Sequence, residues 1–175
     1  MTIAYKFLAR GARGPITGLA WPMFGRWLEA SGPVSLCRNG VHACRVDQLA
    51  YWLHEELWRV ELDGEQIDGL DCVVAGRGRL VARVDAWSEA GGAQRFAAAV
   101  RDHAASLVGA RPDLQGYVDD SSWHVRHAAS ESPALAALCA AMAVAKTASD
   151  IDLEAAYRRE RSWQSGWIVR EMSLS

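Results

Sequence analysis

The chain has 175 residues, half of them apolar, and a formal net charge of -2, a composition that supports one well-buried core and excludes a disordered or fibrous class. No apolar run is long enough to span a bilayer and no signal-peptide order opens the chain, so the expectation is a cytoplasmic protein with no membrane role, whose Cys37, Cys44, Cys72 and Cys139 are thiols or ligands rather than a disulfide framework. Residues 1–46 carry six Lys or Arg against one acid, yet the whole chain has only two lysines and no basic recognition helix, which argues against a dedicated DNA-binding surface and leaves a small anionic ligand open.

Ala4 to Ala9 alternates as a strand, with Tyr5 and Phe7 on one face and Lys6 and Leu8 on the other, and Arg10-Gly11 closes it. Gly11, Gly14, Pro15 and Gly18 then predict an irregular loop running to Trp21-Pro22. Arg26 to Ala30 reads as a short second strand, and Ser31-Gly32-Pro33 as a turn. Val34 to Cys37 and Val41 to Cys44 are read as strand pieces split by the turn dipeptide Asn39-Gly40. The period then changes to that of a helix, with Val46, Leu49, Ala50 and Leu53 on one face and Asp47 near its start. Trp58, Val60 and Leu62 alternate with Arg59, Glu61 and Asp63 as a strand that Asp63-Gly64 ends. Cys72 to Ala75 and Leu80 to Val84 are expected to form a hairpin around Gly76-Arg77-Gly78.

From Gly92 the chain becomes alanine-rich and helical, with Phe96, Val100 and Leu107 at helical spacing and Gly109 and Pro112 as stop signals. Ser132-Pro133 opens another helix carrying Leu135, Leu138, Cys139 and Met142 along its face. A last amphipathic helix begins at Asp150 or Asp152 and bears Leu153, Ala156, Tyr157, Trp163 and Trp167, with Gly166 as a weak point. Strands and helices are segregated, which predicts an α+β fold: a mostly antiparallel sheet from residues 1–90, with helices from residues 91–175 packed on it in the same compact domain. The absence of a Gly-x-Gly-x-x-Gly or Walker loop excludes the classical nucleotide folds.

Chemistry is densest in Cys37-Arg38-Asn39-Gly40-Val41-His42-Ala43-Cys44. Three readings stay open for it. His42 could work in a ligand pocket, sit satisfied in a core strand with Cys44 as a small hydrophobe, or join Cys37 and Cys44 as zinc donors with His54 or Cys72 as a fourth. The spacing lacks a Cys-x-x-Cys knuckle, so no metal is assigned.

Leu36 to Cys44, followed by Leu49-Ala50-Tyr51 and the strand Trp58 to Leu62, resembles a family of small bacterial and phage domains of unknown function with a Cys, then Gly-x-His-x-Cys. The resemblance covers residues 5–85 and implies a discrete domain without naming a reaction. Gly40-Val41-His42-Ala43-Cys44 with Leu49-Ala50-Tyr51 is also similar to the strand and helix that flank the NAD pocket of the ADP-ribosyltransferase-like fold. That likeness places His42 where the fold has tyrosine or, in its RNA 2′-phosphotransferase branch, histidine, and Arg10-Gly11 at the first motif. It implies a transferase or degenerate relative with His42 and Arg10 as catalytic residues and Arg10, Trp21 and Tyr51 around NAD or another phosphate-bearing ligand. No third-motif glutamate is found in the second half.

Asp120, His124 and His127, four and three residues apart, share one face if 118–129 is helical, and suit a divalent metal, acid-base work or simply a solvated surface. Trp163 and Trp167 motivate an alternative function, a non-catalytic interaction module that forms a homodimer or docks a partner through the C-terminal helix.

Overall fold

The computed structural model describes residues 1–22, 24–126, 132–148 and 152–175, and the chain divides into two units, Met1–Ala90 and Gly91–Ser175. The fold is α+β, with an antiparallel sheet in the first unit and helices in the second.

The sheet is built from β1 (Thr2–Leu8), β2 (Leu28–Glu29), β3 (Val41–Ala43), β4 (Glu56–Asp68) and β5 (Val73–Arg83). β4 lies between β1 and β5, and both β2 and β3 pair with the far edge of β5. Backbone bonds between Tyr5 and Cys44, at 2.8 and 2.7 Å, then tie the end of β3 back to β1. One bridge, at Tyr5, thus brings the chain just after β3 against the free edge of β1, while β1 is paired along its length with β4 alone.

Because side chains alternate along a strand, Ala4, Lys6 and Leu8 point to the same side of β1. Ala4 and Leu8 join Trp21, Val41, Ala43, Val60, Leu62, Val73, Ala75 and Leu80 in a buried cluster that fills the sheet interior. The opposite side of β1 carries Phe7, whose ring meets Trp87 edge-on at 5.2 Å. Both faces of β1 are thus buried, whereas one exposed face would be usual for an antiparallel strand.

Several elements depart from the sequence expectations, each for a physical reason. Val34 to Cys37 is not a strand: Ser35 and Asn39 pair across a tight turn in which Cys37 takes a positive φ of 60°. The turn is thus centred on Leu36 to Arg38 and not on Asn39-Gly40. Residues Val46–Tyr51 form a 3₁₀ helix, entered through a bond from the Arg45 amide to the Gln48 side chain at 2.9 Å. Asp63-Gly64 does not end β4: Gly64 adopts φ 82° in a bulge, after which pairing resumes at Gln66 and runs to Asp68. Gly76-Arg77-Gly78 is no hairpin either, since β5 is continuous through it. A Cβ on Gly78 would lie 2.7 Å from Val41 and 3.1 Å from Leu62, so this glycine makes room for interior side chains.

The second unit contains α2 (Gly92–Val108), α3 (Pro112–Arg126), α4 (Ser132–Ala145) and α5 (Leu153–Glu171), and a short α1 (Asp85–Ser88) closes the first. Pro112 starts α3 instead of merely stopping α2, as suits a residue without an amide hydrogen at a first helical turn. α4 packs against α2, α3 and α5. Its Ala136, Ala137, Ala140, Ala141, Ala143 and Ala145 are fully buried, while Leu135 and Leu138 remain 37% and 42% exposed. The alanines, not the leucines, face the bundle, because small side chains let three neighbours approach one axis. α5 continues through Gly166 without a break. Among the described residues no helix is long and apolar enough to cross a membrane.

Candidate functional site

The Cys37 to Cys44 motif forms a closed set of hydrogen bonds. The Cys37 amide donates to His42 Nε2 at 3.0 Å, and His42 Nδ1 lies 3.1 Å from the Gly40 carbonyl. Both ring nitrogens are therefore occupied, which fixes a neutral ring with its proton on Nδ1. Burial pushes the His42 pKa down, against the Gly40 hydrogen bond that raises it. Gly40, at φ 128°, would place a Cβ 2.4 Å from the Val74 side chain, so only glycine fits beside β5 here. The Asn39 side chain donates to the Pro33 carbonyl at 2.9 Å. Cys44 is buried with its thiol donating to the Tyr5 carbonyl at 3.3 Å, and desolvation pushes its pKa up to about 12. The motif thus joins the turn to β1 and β5. Among the described residues no three His, Cys, Asp or Glu side chains gather as a metal site.

The Arg10–Ala12 loop is occupied in a similar way. The amide of Arg10 donates to Glu55 at 2.8 Å, and those of Gly11 and Ala12 donate to Glu56 at 3.0 and 3.1 Å. Convergent amides of this kind make an anion-binding concavity, and here two carboxylates of the chain itself fill it. Glu56 also accepts from Trp58 Nε1 at 3.0 Å, so this buried carboxylate is well satisfied. The Arg10 side chain is 88% exposed, with Glu55 3.7 Å away.

Of the four residues expected around a pocket, His42 and Trp21 are linked, through a residue the sequence reading did not select. Lys6 Nζ donates to the His42 carbonyl at 2.5 Å and lies 5.5 Å from the centre of the Trp21 ring. Trp21 is 8% exposed and belongs to the sheet interior rather than to a free loop. Tyr51 ends the 3₁₀ helix, half-buried. Arg10 is held by Glu55, apart from the Lys6 contacts.

Lys6 is the unusual group. Its ammonium end lies deep while the residue keeps part of its surface, and desolvation brings its pKa down to about 8 from the usual 10.5, opposed by the nearby Cys44 and Cys72 thiols. An ammonium carries three donors, and one is used, by the His42 carbonyl. Among the described residues no carboxylate lies within ion-pair distance of it. The signal for it was present in the sequence, as a lysine set between Ala4 and Leu8 on an apolar stripe.

In the second unit, a depression of about 280 Å³ is lined by Asp113, Leu114, Tyr117, Lys146, Ala148 and Leu153. Its charged groups already have partners: Asp113 binds Arg111, at 2.6 Å, and Lys146 sits 5.6 Å from the Tyr117 ring centre. His124 lies on α3 beside Trp123, and Asp120 is exposed. The proposed third member of that set, His127, lies outside the described residues. Trp163 stacks on His103 at 3.7 Å, and Trp167 packs against Phe96 at 5.5 Å, so neither ring is freely presented.

Glu160, 3% exposed, lies 3.2 Å from His103 Nε2 and accepts from Gln164 at 3.2 Å. Gln164 in turn donates to the Ala137 carbonyl of α4 at 3.0 Å. Desolvation raises the Glu160 pKa to about 7 and lowers that of His103. α5 is therefore held to its neighbours by a polar seam as well as by apolar packing. Comparison with known families, curated proteins and solved structures finds no match to this chain.

Proposed function

We propose that the first unit is a small-molecule-binding module that takes an anionic, phosphate-bearing ligand at Lys6, beside Trp21. The observation that carries this reading is the Lys6 ammonium, deeply placed, bonded to the carbonyl of His42 and without a carboxylate within reach among the described residues. A buried cation costs stability unless a counter-charge meets it, and a ligand anion supplies one. NAD is the dinucleotide to test first, through its phosphates at Lys6, because Trp21 is packed in the sheet interior with Lys6 against its ring. His42 acts here as scaffold, because using its ring for catalysis would break the bonds to Cys37 and Gly40. Arg10 is assigned a place at the rim, held by Glu55. No transferase step is assigned.

Calorimetric titration with inorganic phosphate, NAD and a panel of nucleotides tests this. The expected result is saturable heat for at least one phosphate-bearing ligand, lost in Lys6→Met. Absence of heat at millimolar ligand with folded protein, or equal affinity in Lys6→Met, refutes it.

A further inference from the structure

We propose that Cys37 is a thiol-modification site that exchanges with a small soluble disulfide and passes the bond to Cys72, linking the turn at residues 35–39 to the start of β5. The inference does not depend on the reading of Lys6. Three observations carry it. Cys37 is exposed in that turn at a φ of 60°, a left-handed backbone that favours glycine or asparagine, so its thiol is presented at a cost in backbone energy. The turn is pinned beside β5: the Cys37 amide donates to His42 Nε2 at 3.0 Å, and His42 and Ala43 pair with Val74 and Val73, the residues that follow Cys72. A methyl on Gly69 would lie 3.1 Å from Leu36 Cδ2 and 3.4 Å from Cys72 Sγ, so the Cys72 sulfur and the neighbour of Cys37 converge on one glycine.

The thiols of this unit differ in access. Cys37 is exposed and Cys72 buried, so a soluble reagent meets Cys37 first. Burial, Asp71 and the nearby Cys37 thiol push the Cys72 pKa up. Cys44 is buried with its thiol on the Tyr5 carbonyl, which keeps it out of the exchange. In the step, the Cys37 thiolate attacks one sulfur of the small disulfide, forming a mixed disulfide and expelling one thiolate. The Cys72 thiol gives its proton to solvent, and its sulfur attacks the Cys37 sulfur, which forms the Cys37–Cys72 bond and expels the second thiolate. The cysteines lose two electrons, the small disulfide gains them, and its two halves leave as thiols once protonated.

The sequence offers a clean assay, because trypsin places Cys37, Cys44 and Cys72 on separate peptides, 27–38, 39–45 and 60–77. The full chain is incubated at pH 8 with millimolar glutathione disulfide, its free thiols are alkylated, and it is mapped without reductant. The expected product joins peptides 27–38 and 60–77 within one chain, and dithiothreitol separates them. Cys72→Ser should stop at a persistent glutathione adduct on Cys37, and Cys37→Ser should lose the link. In the unmutated chain, an unmodified Cys37, a glutathione adduct that persists there, a link from Cys37 to Cys44, or a link formed only in urea or between chains overturns the inference, so the result does not hang on the folding of any variant.

Discussion

Replacing Lys6 by methionine probes the burial of its charge directly. In the folded chain the amine gives up its proton at about 8, whereas the unfolded chain holds it until about 10.5. Between those values the unfolded state binds more protons, so the stability of the unmutated protein rises with pH across that window. The gap between the two values is worth about 3 kcal/mol, which is the penalty carried by the charged amine below pH 8. Lys6→Met removes the penalty and leaves a flexible apolar side chain among Ala4, Leu8 and Trp21. Urea unfolding at pH 7 should show the variant more stable by about 2 to 3 kcal/mol. That advantage should shrink towards zero by pH 10.5. A gap that stays constant from pH 7 to pH 10 would refute the burial of the charge, and with it the reason for placing a ligand there.

His42→Ala removes the acceptor of the Cys37 amide and the donor to Gly40, and should cost about 1 to 3 kcal/mol by denaturant unfolding; an unchanged midpoint with lost ligand binding would return His42 to a functional role. Gly40→Ala should cost at least about 2 kcal/mol, since the new methyl meets Val74 and the backbone sits at φ 128°, and a small loss in the same assay would contradict that fit. Glu160→Gln should raise the melting temperature at pH 8 and make little difference near pH 4.5. The folded-state pKa of Glu160 is raised to about 7, so the folded state binds the extra proton between the two values and stability falls as pH rises through that window. Equal melting temperatures at both pH values would show that His103 offsets the cost of ionising Glu160.

Alternation and composition were enough to read the class of fold and the segregation of strands from helices. Leu62-Asp63-Gly64 shows where local reading stops. A glycine after an acid marks a turn in one context and a bulge in another, and what decides is the partner strand, here β5, whose Arg77 lies opposite Asp63. Gly78 likewise has meaning only once Val41 and Leu62 are known to converge on it. The site was half legible. The Gly-x-His-x-Cys segment stood out as dense chemistry, but its donors and acceptors are satisfied within the fold. Glu55 and Glu56 carried no motif, and their importance comes from three amides more than forty residues earlier in the chain. Lys6 was visible as a break in an apolar stripe, but its missing counter-charge is a property of what surrounds it in three dimensions.

The pairing of β1 with residues Glu56 to Leu62 also sets a schedule for synthesis. At about 5 to 20 residues per second, the first strand waits roughly 3 to 10 s on the ribosome before its partner has been made. During that interval Ile3-Ala4-Tyr5-Lys6-Phe7-Leu8 is a β-prone segment, and Lys6 is its single charge. Such a charge acts as a gatekeeper against strand-to-strand association of nascent chains. The lysine that strains the finished sheet would then protect the unfinished one, and Lys6→Met, though more stable once folded, should give a lower soluble yield from cells.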